Sequence, residues 1–344
     1  MRKAAQKGAA LLIHTPGIAH SCVEEIARFS LAELQKAQKE THTLQLLTFF
    51  RATIYMFPLQ QQKELCQACL KLLNLQSQMV RVQALRTINE YLRGIVRQAQ
   101  KSVLGGMEEG AADVDQLRAK LTSMQLEGIP TDLIGKLLSA LKEVKPSSRD
   151  VSVCSSWLEV VFSCCFCLAT SNNPRMAISH LPNAIENCYT LLDEPDNAAA
   201  VGSTMQKILG EVAKYLTELD LKENAPGDLI LKQLVNGLQF QYSSVMDCTL
   251  DALSSFYVSL RMREVRNKAV LDFLASPLKL LAQLRLNPLF SHKIALDNCA
   301  GSILSCVGPA AFLNVLPIDI SGNPETDGDL PYKWIIPILE SKLR

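Results

Sequence analysis

Residues 243–286 read SSVMDCTLDALSSFYVSLRMREVRNKAVLDFLASPLKLLAQLRL. From Val245 to Leu260, and again from Val270 to Leu286, apolar residues recur at three- and four-residue steps, the spacing that turns one face of a helix toward a core. Between the two runs lies a basic turn. Arg261, Arg263, Arg266 and Lys268 are opposed there only by Glu264. The stretch therefore reads as helix, charged turn, helix, with the second helix about as long as the first.

The same period governs the rest of the chain. Ile18–Leu34, Leu44–Phe57, Val80–Val96, Ala198–Leu219 and Leu229–Phe240 all carry it, and no run alternates strictly enough to propose a strand. Breaks fall at Pro16-Gly17, Pro58, Asn74–Gln78, Gly105–Gly110, Pro130, Pro146, Pro174, Pro195, Pro226-Gly227, Pro277, Pro288 and Gly308-Pro309. Proline removes a backbone donor and restricts the residue before it, so several of these mark first helical turns. A unit of about forty residues built this way has the period of HEAT and armadillo repeats, which use two or three helices. The expected fold is all-α, an α-solenoid of HEAT/armadillo-like helical repeats in a right-handed superhelical array, because such units bury their faces only by stacking. A single globular helical bundle is the alternative.

Composition bounds the class. With 344 residues, 48% hydrophobic and 20% charged, the chain is too long for one compact centre. The 35 basic and 34 acidic residues nearly cancel, so any contact with nucleic acid or membrane must come from a local patch. Eleven cysteines at irregular spacing, with no signal peptide at the start, fit a reducing nuclear or cytosolic compartment. Met1 leads straight into a helical run, which reads as an internal segment of a longer protein. Val151–Thr170 has the length to span a bilayer, but Glu159 at its centre and its serines and cysteines favour a helix buried in a stack. The organisation expected is helical repeats over 1–104, a flexible acidic loop over 105–112, further repeats over 113–307, and a closing block over 308–344.

Chemistry is sparse. Cys66 and Cys69 form C-x-x-C inside a helical run with no second pair at zinc spacing, and Cys164, Cys165 and Cys167 lie in the most apolar helix, so all read as core thiols. The five histidines are scattered, and no nucleophile elbow, phosphate-binding glycine loop or dinucleotide fingerprint is present. The acidic loop Asp319–Asp329 resembles a calcium loop only superficially, with Pro324 where glycine belongs and Leu330 where the bidentate glutamate belongs. No catalytic residue, cofactor, metal or small-molecule substrate is expected. Two basic features remain as candidate RNA or partner contacts. Arg86, Arg93, Arg97 and Lys101 share one quadrant of a helix, roughly opposite Val82, Leu85, Leu92, Val96 and Ala99, with Glu90 partly cancelling them. The second feature is the turn Arg261, Arg263, Arg266 and Lys268.

The closing block carries a resemblance. Gly308-Pro309-x-x-x-Leu313-x-Val315-Leu316-Pro317, then Trp334-Ile335-Ile336-Pro337-Ile338-Leu339, resembles the block that closes the nucleolar HEAT-repeat region of the ribosomal RNA-processing protein 12 family. Arg2–Gln6 is similar to the start of that region, and Leu284–Leu286 with Ala295–Asp297 to its last helix pair; the likeness is weakest over Val103–Ser148. The resemblance implies a non-catalytic scaffold in small-subunit precursor assembly, ribosomal RNA processing and nuclear export, located in the nucleolus and nucleus. Its partners would be pre-ribosomal proteins, pre-ribosomal RNA and nuclear transport factors, with no membrane. A karyopherin-like nuclear transport receptor is the alternative function. Within the block itself, LNVLPI and WIIPIL are two apolar runs broken by Pro317 and Pro337, expected to fold back over the preceding helix or to join a further repeat.

Overall fold

The computed structural model describes residues 20–105 apart from 38 and 76, residues 126–260 apart from 240, 241, 243 and 244, residues 267–318, and residues 332–343. The chain divides into two compact units, Met1–Ala177 and Ile178–Arg344. The first holds α1 (His20–Lys36), α2 (Glu40–Thr53), α3 (Leu59–Leu72), α4 (Gln78–Gly105), α5 (Thr131–Glu143) and α6 (Val151–Thr170). Helix α7 (Arg175–Tyr189) contains the boundary. The second unit continues with α8 (Ala198–Val212), α9 (Pro226–Asn236), α10 (Met246–Ser259), α11 (Lys268–Ala275), α12 (Leu278–Leu286), α13 (Lys293–Val315) and α14 (Ile336–Leu343). The fold is all-α, built of HEAT/armadillo-like helical hairpins. Among the described residues there is no strand; Leu126 and Ser171 form one isolated parallel bridge.

In the amino-terminal unit α4 is the axis, packing on α2, α3 and α6, while α5 packs on α6 and α1 on α3. The stripe Leu85, Ile88, Tyr91, Leu92 and Ile95 is buried on α4, as its apolar spacing requires. Phe50 and Phe57 meet edge-on at 6.1 Å between ring centroids where α2 gives way to a short 3-10 turn. Helix α6 buries Trp157, Leu158, Val161, Cys165 and Leu168, and the Trp157 indole N–H donates to the Leu141 carbonyl at 3.1 Å. By length and composition both α6 and α13 are apolar enough to cross a membrane. The first owes its apolarity to burial on most sides, as its sequence suggested, and Glu159 emerges at the surface.

In the carboxy-terminal unit α13 takes the axial role, packing on α10, α11, α12 and α14, and α8 packs on α10. Ser254 and Ser302 share a hydrogen bond of 2.7 Å across α10 and α13, and the Tyr257 hydroxyl donates to the Leu274 carbonyl at 2.7 Å. These polar contacts satisfy groups that burial would otherwise strand.

Three expectations change. The run Val270–Leu286 is two short helices, α11 and α12, separated at Ser276-Pro277, because Pro277 cannot donate into a continuing helix. Ala198–Leu219 is α-helical only to Val212 and then tightens into a 3-10 turn. Pro337 does not break the last apolar run: it sits in the first turn of α14, where a missing donor costs nothing. Gly308 does break α13, with φ 81° and ψ 164°, a backbone that glycine alone adopts freely. The second apolar run then lies back along α13, Ile335 and Ile338 being buried and Gly301 admitting Ile338 and the Lys342 stem.

Candidate functional site

The twenty-eight residues of α4 present the one basic face whose residues are largely described. Arg86, Arg93 and Arg97 are all exposed, one above another, while Leu85, Leu92, Val96 and Ala99 are buried on the far side. Val82, expected with that apolar line, is only half-buried, because it stands one turn before Arg86 on the arginine side. Glu90 engages Arg93 at 3.4 Å. Arg86 and Arg97 join no ion pair among the described residues, so two guanidinium forks remain available to phosphate or carboxylate. Lys101 belongs to the helix, but its side chain lies outside the described set.

Beside this face α4 and α6 enclose a hollow of about 230 Å³ lined by Arg93, Val96, Arg97, Gln100, Ser163 and Phe166. Phe162 and Phe166, half-buried one turn apart on α6, hold their rings 5.9 Å apart. Arginines beside an aromatic face are what an unstacked base with its phosphate needs, since the ring stacks and the guanidinium pairs. Underneath, Asn89 is buried and fully engaged: its amide donates to Glu159 Oε2 at 3.1 Å, and its carbonyl accepts from Ser163 Oγ at 2.6 Å. Arg81 pairs with Asp150 at 3.1 Å. These bonds set the register of α6 on α4 and hold the hollow open.

The second basic feature is only partly visible. Arg261, Arg263 and Arg266 lie outside the described residues, as does the acidic loop 319–329. Lys268 opens α11, exposed, next to Asn267, whose side chain caps the helix by accepting from the Ala269 amide at 3.1 Å. The described parts of the two basic features lie in different compact units.

The C-x-x-C pair and the thiols of α6 are core. Cys66 and Cys69 are buried, and burial pushes the Cys66 thiol up to about 12 and Cys69 well above its ordinary value. Cys165 and Cys167 are likewise raised to about 12. A thiol held neutral in apolar surroundings is a poor nucleophile and a poor metal ligand. Among the described residues no three His, Cys, Asp or Glu side chains gather as a metal site would require. Reading the sequence located the arginines but missed the hollow, Asn89 and Phe166. An aromatic pair at i, i+4 beside Ser163 was a visible hint, yet nothing local told that it faces Arg97.

The closing block is held by Arg285. Its guanidinium forks onto Asp297 at 2.9 and 3.3 Å and lies over the Trp334 ring, 5.6 Å from its centroid. The residues that carried the family resemblance, on α12, α13 and the last run, thus form one packed joint.

Helix pairs stacked on axial helices, with no strand among the described residues, define a helical-repeat protein of the HEAT class. Residues 192–344 match the family model described as "Ribosomal RNA-processing protein 12, HEAT repeats". The whole chain is similar to the RRP12-like proteins of Gallus gallus, 25% identical over 333 residues and 93% of this chain, and of Homo sapiens, 23% identical over 367 residues and 100% of it. The Drosophila melanogaster RRP12-like protein is 20% identical over 98% of the chain. The chain spans about a quarter of the length of these relatives, between 23% and 25% of each. The resemblance to the ribosomal RNA-processing protein 12 family is thereby borne out, by the family model over residues 192–344 and by the relatives over nearly all the rest.

Proposed function

We propose that the chain acts in ribosome biogenesis as a non-catalytic helical-repeat scaffold, part of a longer protein. The observation that carries this is the match of residues 192–344 to the HEAT repeats of ribosomal RNA-processing protein 12, extended by relatives that cover nearly the whole chain. On this reading it works in the nucleolus and nucleus, holding proteins of the pre-ribosomal particle while small-subunit precursors are assembled, processed and exported. Pre-ribosomal RNA is touched through Arg86, Arg93 and Arg97, with Phe166 as the stacking face. The turn Arg261, Arg263, Arg266 and Lys268 supplies a second contact.

The test is purification of the tagged chain from cells after crosslinking, with the bound RNA and proteins identified. Recovery of precursor ribosomal RNA with assembly proteins is expected; recovery of neither sinks the reading. Arg86→Glu/Arg93→Glu/Arg97→Glu is expected to lower RNA recovery and to flatten the slope of log affinity against log salt by about 2, since each lost single-strand phosphate contact removes roughly 0.7. The same measurement on Arg261→Glu/Arg263→Glu/Arg266→Glu/Lys268→Glu decides the turn: unchanged association at several salt concentrations removes it.

A further inference from the structure

A hollow of about 610 Å³ opens between α3 and α5 in the amino-terminal unit, sharing no lining residue with the one beside the arginines. Its α3 wall runs from Leu59 to Leu70, on the order of three helical turns. Leu59 is 48% exposed, and Leu70 and Leu133 are half-buried, so apolar side chains stand at both ends and on the opposite wall. One lysine rises from each wall, Lys63 from α3 and Lys136 from α5, and neither joins an ion pair among the described residues. The lining holds one acid, Asp132. It lies in the first turn of α5, where the positive end of the helix dipole offsets its charge.

We propose that this groove docks a partner protein through an acidic amphipathic helix: apolar residues at i, i+4 and i+7 enter the trough, and carboxylates on its flanks pair with Lys63 and Lys136. The trough length matches the two to three turns such anchors span, and a lysine on each rim favours acids on both flanks over a neutral or basic segment. The proposal reaches beyond the ribosomal role and does not depend on RNA contact.

The probe is a fluorescein-labelled eighteen-residue helical peptide with leucines along one stripe and glutamates elsewhere, titrated into the full chain by anisotropy. A second peptide replaces every glutamate with lysine. The acidic peptide is expected to bind, and Lys63→Glu/Lys136→Glu is expected to weaken it by roughly tenfold or more, since the reversal sets like charges against each other on both flanks. Lys63→Gln/Lys136→Gln, which only removes charge, should give a smaller loss and guards against a folding defect. Hydrogen exchange should slow over 59–70 and 130–140 when the peptide is bound. Equal binding of the two peptides, no binding, protection elsewhere, or a chain that dimerises through this groove instead would each overturn the proposal.

Discussion

The two compact units spend their polar residues differently. Around α13 in the carboxy-terminal unit, Ser254, Ser302, Tyr257, Arg285 and Asp297 turn toward one another and tie helices together. In the amino-terminal unit Asn89, Ser163 and Arg81 do the same, but Arg97, Lys63 and Lys136 are left lining hollows and Arg86 stands exposed on α4. The family model spans 192–344, so it holds both the residues that tie the carboxy-terminal helices and the basic stretch 261–268, and neither the ties nor the open cations of the amino-terminal unit. The difference between the units lies in how their polar groups are paired, and the match does not sort joining residues from surface ones.

The sharpest way to break this comparison is to unpick one unit and watch the other. Trp157→Ala removes the largest fully buried side chain and orphans the Leu141 carbonyl, and is expected to cost about 3–5 kcal/mol. Hydrogen exchange should rise across α4, α5 and α6 while α10 and α13 keep their protection; a uniform rise would mean that the units unfold as one. Next in size is the joint of the closing block. Arg285→Ala loses a bidentate pair and a ring contact, an expected loss of about 1–2 kcal/mol in urea unfolding, with acrylamide reaching Trp334 more readily. Arg285→Lys should recover little of this, because an ammonium cannot fork onto Asp297.

Alkali probes the amino-terminal core. The thiols of Cys66, Cys165 and Cys167 are raised from 9.0 to about 12 in the folded chain, so below pH 9 both states are neutral and stability is unaffected. Between pH 9 and 12 only the unfolded chain ionises, and each thiol lowers stability by about 1.4 kcal/mol per pH unit. Protection over α3 and α6 should therefore fall as pH rises from 9, and Cys165→Ala should make the fall shallower by one thiol's share. The smallest effect belongs to the surface. Arg86→Glu/Arg93→Glu/Arg97→Glu should change the unfolding free energy measured in urea by no more than about 0.5 kcal/mol, since these groups are exposed and, among the described residues, only Arg93 is ion-paired, across one turn. A larger loss would recast the face as structural.

Much of this fold was readable in the chain, and the failures have physical causes. Val80–Val96 and Val245–Leu260 became α4 and α10 because one apolar stripe per helix is a local signal. Val270–Leu286 misled because Val270, Leu274, Leu278 and Leu281 keep helical phase across the break, so the apolar period ran through the place where Pro277 divides two helices. The arginine face was visible because its members share one helix. The α3–α5 groove was not, because its walls are brought together across some sixty intervening residues, and no spacing rule spans that distance.

Gly308 has a consequence for where α13 belongs. A continuous helix of its 23 residues would be about 35 Å long, a ruler matched to the hydrocarbon thickness of a bilayer. The left-handed residue cuts that ruler, leaving a first piece, 293–307, of about 22 Å, short of the roughly twenty residues a span requires. One residue without a side chain thus keeps an apolar sequence in register with α10, α12 and α14, and denies it the length at which a lipid would be an equal host.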